Sequence, residues 1–91
     1  DLPWQELIIA SEKIQPTIIT LSIMSYPPSA KVIEDLNSLA ERLTDNIQLW
    51  IGGPGAQSLH KQKQLPARII FITSLDDFNN RLVWLNQGKR A

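Results

Sequence analysis

The sequence predicts an α/β domain in which amphipathic helices alternate with the strands of one parallel sheet. Short β-branched, apolar runs recur along the chain, and amphipathic stretches or breaks rich in proline and glycine lie between them. Strands that are joined through helices pair in parallel within one sheet, by right-handed connections. The 91 residues provide for a single modest core.

The amino-terminal part of the chain predicts a helix over residues 3–15. Pro3 suits the first helical position, and Pro16 ends the helix because proline disfavours the α conformation of the residue before it. Four apolar side chains fall largely on one stripe of this helix: Trp4, Leu7, Ile8 and Ile14.

Residues 17–23 predict the first strand. This run is apolar nearly throughout, which is typical of a strand covered on both faces. A loop with two prolines follows it, and residues 29–43 predict the second helix because their apolar and charged positions separate onto two sides. The apolar side comprises Val32, Leu36, Leu39, Ala40 and Leu43. Residues 47–51 predict the second strand.

The last third of the chain predicts one more strand between two helices. Gly52-Gly53-Pro54-Gly55 predicts a sharp loop, residues 56–63 a short helix and residues 68–73 the third strand. The last helix is predicted over residues 75–87. Its beginning carries Ser74 and Asp77 at a spacing similar to that of a capping box.

The composition excludes several classes of function. The chain has no cysteine, so disulfides, zinc–thiolate sites and cysteine nucleophiles are excluded, and its one histidine, His60, argues against multi-histidine metal sites. Nine basic residues balance nine acidic ones, which disfavours a basic nucleic-acid surface. No catalytic set of side chains is recognisable. We therefore expect that the protein is not an enzyme. No membrane span or signal peptide is visible, and no membrane partner is expected.

The predicted sheet is short for its class. Domains of this kind usually begin with a strand, whereas this chain begins with a helix, and three parallel strands are few. We therefore expect that the amino-terminal part of a larger domain is missing, so that residues 1–91 form a partial domain. The alternative is a small complete domain with a helix added at its front.

Residues that follow the three strands are the candidate binding residues, because ligands bind beyond the carboxyl ends of parallel strands. The segments are Ser22 to Pro28, Gly52 to Gln57 and Thr73 to Asp76. They offer hydroxyl groups, a backbone almost free of side chains, and a helix amino terminus that favours phosphate. Simpler interpretations stay open: a tight turn at the glycines, a helix cap at Ser74, and a solvated edge at His60. The three tryptophans are most simply packing residues.

The strand ends together resemble the cobalamin-binding domain family. Ser22-Ile23-Met24 looks like the family's S-x-L motif, with Met24 in the leucine position, and Gly52-Gly53 looks like its Gly-Gly motif. The resemblance extends from the family's second helix to its last and is closest in style to the sensor modules of MerR-type transcriptional regulators. It implies a flavodoxin-like, three-layer Rossmann fold. The first strands and the D-x-H-x-x-G motif, whose histidine ligates cobalt, have no counterpart here.

The resemblance also implies roles for individual residues. Ser22 would hydrogen-bond the buried benzimidazole of the cofactor's nucleotide tail, while Gly52 and Gly53 would leave room for it. The tail's sugar and phosphate would be lined by Pro54, Gly55, Thr73 and Ser74. His60 follows the Gly-Gly motif and cannot take the role of the lower cobalt ligand.

The leading functional hypothesis, which the resemblance implies, is the cobalamin-binding sensor module of a cytoplasmic transcriptional regulator, present here as a fragment without the cobalt-ligating motif. DNA would be contacted only by another domain. One alternative is a corrinoid carrier of a methyl-transfer system, and another is a flavodoxin-like interaction domain without cofactor. The edge of the strand at residues 17–23 is expected to pair with the missing amino-terminal part of the domain or with a second copy. Cobalamin binding by this chain alone is expected to be weak or absent.

Overall fold

A computed structural model of the chain describes residues 2–62 and 65–90. The elements in order are α1 (Trp4–Ile14), β1 (Ile18–Ser22), α2 (Ala30–Arg42), β2 (Gln48–Gly52), α3 (Pro54–Gln62), β3 (Ile69–Phe71) and α4 (Leu75–Arg90). The protein is thus a small α/β domain, and the predicted alternation of helices and strands is confirmed.

The three strands form one parallel sheet in the order β1-β2-β3. Thr20 lies beside Trp50, which lies beside Ile70, so the middle strand is paired on both sides. Because side chains alternate along a strand, each strand presents alternate residues to opposite faces of the sheet. One set, the closed face, comprises Ile19, Leu21, Leu49, Ile51, Ile69 and Phe71. The other set, the open face, comprises Ile18, Thr20, Ser22, Gln48, Trp50, Gly52 and Ile70.

The closed face carries the hydrophobic core. Leu49 and Ile51 of β2 are fully buried together with Leu36 and Leu39 of α2 and Leu59 of α3. Helix α1 adds half-buried apolar side chains at the margin of this cluster: Trp4, Leu7 and Ile8. The apolar side predicted for α2 is therefore the side that packs.

The open face is covered by α4, but loosely. Phe78 of α4 meets Trp50 edge to face, with ring centroids 5.7 Å apart. No side chain between Leu75 and Leu85 is fully buried, and Trp84 remains 73% exposed. The prediction that Trp84 is a packing residue is wrong, whereas Trp50 is buried and Trp4 is half-buried.

Strand β1 was predicted to be covered on both faces, but it is less covered than that in the structure. Its side chains are half-buried at Ile18, Ile19 and Leu21, and they are exposed at Thr20 and Ser22. The hydroxyl-bearing residues lie on the open face, where α4 leaves β1 uncovered. Within the described residues no strand pairs with the outer edge of β1, so the pairing expected there stays a prediction.

Some element ends also differ from the sequence-based expectations; α4, for example, extends to Arg90 and not to residue 87. Helix α3 begins at Pro54, not at residue 56, because proline is tolerated where the first helical N–H needs no partner. Strand β3 is confined to Ile69–Phe71, which is shorter than the predicted 68–73. In α1, Ile14 lies at the end of the helix and is 74% exposed, so it does not continue the packed stripe.

Arg68, just before β3, connects the end of α2 to the start of β2. Its guanidinium donates hydrogen bonds of 2.6–2.8 Å to four backbone carbonyl oxygens, those of Ala40, Leu43, Thr44 and Ile47. The last carbonyls of a helix lack partners within the helix, and a cation there also opposes the negative end of the helix dipole. Arg68 therefore fixes the turn that delivers β2 to the centre of the sheet.

Among the residues that the structure describes, none of the helices combines the length and apolar character required to span a bilayer.

Candidate functional site

A cleft of about 410 Å³ opens at the carboxyl edge of the sheet, between the open face and the start of α4. Its sheet side comes from β1 and β2 and its other side from α4 and the segment before it. The lining residues are Thr20, Leu21, Ser22, Trp50, Gly52, Gly53, Gln57, Ile72, Thr73, Ser74, Leu75 and Phe78. This is the position at which parallel α/β sheets place their ligands.

The cleft is uncharged. Each residue that lines it is apolar, a glycine, a hydroxyl-bearing residue or glutamine. Trp50 lies two residues before Gly52, further from the carboxyl edge, with Thr20 beside it on β1 and Phe78 of α4 against its ring. An apolar cavity with a few convergent polar groups is typical of a binding site for a small organic molecule.

Five of the eight residues predicted for the site line this cleft together: Ser22, Gly52, Gly53, Thr73 and Ser74. The other three do not line it. Met24 is 72% exposed in the loop after β1, while Pro54 and Gly55 begin helix α3. The strand-end residues thus converge, and the residues that follow them turn away into the next elements.

The glycines of the Gly-Gly-Pro-Gly segment have different structural roles. A Cβ atom added to Gly52 would meet only Ile72, at 3.6 Å, which is an ordinary contact. One added to Gly53 would lie 2.7 Å from the Ile23 carbonyl oxygen, and the φ of +95° at Gly53 is unfavourable for other residues. Gly55 similarly lies against the backbone of Ser25 and the side chain of Ile23. Gly53 and Gly55 therefore let two loops pack closely, and Gly52 alone leaves its side-chain position open to the cleft.

Thr73 and Ser74 cap α4. The Asp77 N–H donates to Ser74 Oγ at 3.0 Å, and the Thr73 N–H donates to Asp77 Oδ2 at 3.0 Å. These bonds form the reciprocal arrangement expected of a capping box, except that the Asp77 carboxylate reaches Thr73. Of the two interpretations of Ser74, the helix cap is the one that this geometry supports.

The electrostatics at this helix start do not favour a phosphate. The hydrogen bond from the Thr73 backbone is the main cause that lowers the pKa of Asp77; partial burial opposes it, and the nearby Arg81 adds to it. Arg81 Nε lies 3.1 Å from Asp77 Oδ1. The Asp77 carboxylate already accepts the Thr73 N–H, and Asp76 adds a second acidic residue to the first turn, so negative charge is already present where a phosphate would bind.

Five cleft residues lie outside the three predicted segments: Thr20, Leu21, Trp50, Ile72 and Phe78. Thr20 and Trp50 precede Ser22 and Gly52 by two positions, so the two-residue period of a strand could have identified them. Phe78 could not be found this way, since its place depends on how α4 packs across the sheet.

His60 lies away from the cleft. Its imidazole stacks on the Phe71 ring, with centroids 4.7 Å apart, and Phe71 belongs to the closed face. In the part of the chain that the structure describes, no group of three or more histidine, cysteine, aspartate or glutamate side chains is arranged to hold a metal ion.

Comparisons with known proteins identify no relative: no family model, no curated protein and no solved structure matches this chain.

Proposed function

We propose that this domain is a non-catalytic, cobalamin-binding module with a flavodoxin-like arrangement, and that the cleft receives the base of the corrinoid's nucleotide tail. The observation that carries the proposal is the uncharged cleft in which Ser22 and Gly52 lie side by side at the carboxyl ends of paired strands. A flat base could lie against Gly52, where a side chain would otherwise fill the space, and accept a hydrogen bond from the Ser22 hydroxyl.

The described residues fit the tail and not the metal. Hydroxyl groups, those of Ser22 and Thr20 among them, together with the aromatic rings of Trp50 and Phe78, suit a neutral two-ring base. His60 is stacked on the closed face, so it is not available as a cobalt ligand from this side of the sheet. A bound corrinoid would supply the chemistry of its cobalt, and the residues of this chain that would hold it are those around the tail, Ser22 and Gly52.

Such binding would couple to helix α4. Because α4 has no fully buried side chain between Leu75 and Leu85, few contacts hold it against the sheet. A ligand between Gly52 on the sheet and Phe78 on α4 would contact both walls, and would therefore stabilise α4 against the open face. This coupling suits a sensor module of a transcriptional regulator, the context that the motif resemblance favours, and DNA contacts would then belong to another domain.

The binding test is a titration of the chain with cobalamin and with cobinamide, which lacks the nucleotide tail, followed by backbone amide NMR shifts. We expect cobalamin alone to shift the amides at Ser22 and Gly52, with an affinity weaker than about micromolar, because a site without a cobalt ligand offsets immobilisation poorly. Sub-micromolar binding with a histidine-ligated cobalt spectrum would contradict this weak mode, and equal shifts with cobinamide would exclude the tail as the ligand.

Two variants locate the binding site. Gly52→Leu should abolish the cobalamin-dependent shifts by filling the cleft, whereas Ala10→Leu, on the exposed side of α1, should leave them unchanged. Ser22→Ala should weaken binding about 3- to 10-fold through the lost hydrogen bond, and the control Ser25→Ala, in the exposed loop outside the cleft, should not. If the Gly52→Leu variant bound cobalamin with wild-type affinity, the cleft would not be the binding site.

We further propose that the outer edge of β1 has a partner, either a second copy or additional amino-terminal residues of the same domain. The backbone groups of Thr17 and Ile23 already bond to β2, so by alternation those of Ile18, Thr20 and Ser22 point to the free edge. No charged residue or edge proline interrupts this strand, which leaves it prone to pairing.

We expect light scattering to show self-association of the chain, and we expect Thr20→Pro to abolish it because proline removes an N–H group from the free edge. A monodisperse monomer with fast amide exchange along residues 17–23 would contradict pairing with a second copy.

A further inference from the structure

A second cleft lies between the open face of the sheet and the middle of α4, and it has a volume of about 410 Å³. The sheet contributes Gln48 and Trp50 of β2 and Ile70 of β3, and α4 contributes Arg81 and Trp84 among others. Trp50 is common to this lining and to that of the cleft at the carboxyl edge, whereas the other residues named here line the second cleft alone. The second cleft is therefore a separate space, further from the carboxyl ends of the strands.

The polar groups of the second cleft are mainly hydrogen-bond donors. Gln48 Oε1 already accepts the Trp50 Nε1–H at 2.7 Å, so the Gln48 side chain has its amide N–H groups left to offer. Arg81 Nε donates to Asp77 Oδ1 at 3.1 Å, and among the described residues nothing accepts from its two Nη atoms. Within the part of the chain that the structure describes, no acidic residue lines this cleft. A ligand with acceptor oxygens and negative charge would complement this set.

Asp77 holds the Arg81 side chain in place without occupying all of its donors. Asp77 Oδ2 accepts the Thr73 N–H at 3.0 Å, so the carboxylate is anchored at the start of α4 while Oδ1 accepts from Arg81 Nε. The two Nη atoms of a guanidinium form a planar fork that matches the two oxygens of a carboxylate. The Arg81 side chain is 43% exposed, so a ligand can reach this fork.

The apolar part of the second cleft is largely aromatic. Trp50 is 2% exposed, whereas Trp84 is 73% exposed and presents most of its indole to water beside the cleft. Ile70 and Leu85 complete the apolar lining. A flat ring system that lies against the two indoles removes apolar surface from water and can stack, and both effects favour binding.

We propose that the second cleft binds a planar aromatic carboxylate. The ring system of this ligand contacts Trp50 and Trp84, and its carboxylate accepts hydrogen bonds from the two Nη atoms of Arg81. The inference goes beyond the proposed function, because it concerns a different cleft and holds whether or not cobalamin binds at the carboxyl edge.

The test is an NMR titration of the chain with 2-naphthoate and with its neutral analogue, 2-naphthalenemethanol. The readouts are the Trp84 indole N–H signal, identified by its loss in Trp84→Phe, and the backbone amides of Asn80 and Leu85, which line only the second cleft. We expect 2-naphthoate to shift these signals with a dissociation constant of about 1 mM or lower, the scale that a ligand of about 13 non-hydrogen atoms allows. The alcohol should bind about 5- to 10-fold more weakly, because it cannot form the charge-assisted pair with a guanidinium that water partly screens.

Two variants assign the contacts. Arg81→Gln should weaken 2-naphthoate binding about 5- to 10-fold and leave 2-naphthalenemethanol binding unchanged, since only the acid uses the charge. Trp84→Ala should weaken the binding of both ligands, because it removes a ring that both contact. Val83→Ala, at a 56% exposed position of α4 outside the lining, is the matched control and should alter neither. Arg81 and Trp84 are both exposed, so these variants are expected to fold, which the dispersion of the amide spectrum checks.

Three results would overturn the inference: no saturable shift of the Trp84 signal at several millimolar 2-naphthoate, equal affinities for the acid and the alcohol, or an equal loss for both ligands in Arg81→Gln. Shifts confined to the amides of Ser22 and Gly52 would overturn it as well, because the ligand would then occupy the cleft at the carboxyl edge. The cobalamin titration is a separate measurement, so its failure would leave the second cleft unaffected.

Discussion

The two faces of the sheet differ in how completely they are covered. On the closed face, Leu36 and Leu49 have no exposed surface. Helix α2, which precedes β2, and helix α3, which follows it, contribute to one hydrophobic cluster. On the open face, Thr20 is exposed and α4 rests on the sheet mainly through half-buried side chains such as Phe78. The difference indicates that the closed face provides most of the stability of the fold, whereas the open face has space for a ligand.

The largest expected effect is on the closed face. Leu36→Ala should lower the free energy of unfolding by about 2–5 kcal/mol, because it removes a fully buried side chain and leaves a cavity. Val83→Ala, a truncation at a 56% exposed position of α4, should change it by about 0.5 kcal/mol or less. Urea unfolding measures both. Similar losses in the two variants would show that the faces contribute equally.

Arg68 should be the next most important residue. Arg68→Ala removes the donor for four carbonyl oxygens at the end of α2 and in the following turn, and should cost about 2–4 kcal/mol. Arg68→Lys keeps the charge but lacks the forked guanidinium, so it should recover only part of the loss. The matched control, Arg81→Ala, removes an exposed ion pair and should cost about 1 kcal/mol or less. A loss no larger than this control would mean that water replaces the Arg68 donors without cost.

Gly52 and Gly53 should differ in how substitution affects stability and cobalamin binding at the carboxyl edge of the sheet. Gly53→Ala should destabilise by about 1–3 kcal/mol, because φ is positive there and the new Cβ would meet the Ile23 backbone. Gly52→Ala should affect stability little, since its Cβ would have only ordinary contacts, but it should weaken cobalamin binding. Thermal unfolding together with the cobalamin titration distinguishes the roles. The reverse pattern would place the open position at Gly53.

The smallest effect concerns pH and the start of α4. Since the folded-state pKa of Asp77 lies below its ordinary value of 3.8, its stabilising contribution is present above that pH and is lost as the pH falls through the folded-state pKa. We therefore expect the stability difference between wild type and Asp77→Asn to shrink as the pH falls from about 5 to about 3. Glu41→Gln, an exposed substitution on α2, is the control. A difference that is constant across this range would show that the carboxylate charge does not contribute to the cap.

The sequence by itself determined the succession of helices and strands, the helix cap at Ser74 and the convergence of Ser22, Gly52 and Thr73. These follow from local rules: the hydrophobic period of each element, the limits that proline and glycine place on the backbone, and the common direction of parallel strands. The two-residue period of a strand also places Thr20 on the same face as Ser22, and Trp50 on the same face as Gly52. It does not indicate which face of the sheet is open.

Only the tertiary structure decided which face was covered and by what. Ile14 and Trp84 are apolar and were assigned to packing, yet both are exposed, because burial depends on whether another element lies opposite. The same applies to the four carbonyl oxygens that Arg68 binds, which come from residues 21 to 28 positions away. Whether a glycine leaves space for a ligand or for a neighbouring loop, as at Gly52 and Gly53, likewise depends on contacts between segments distant in sequence. Local propensity carries no information on such contacts.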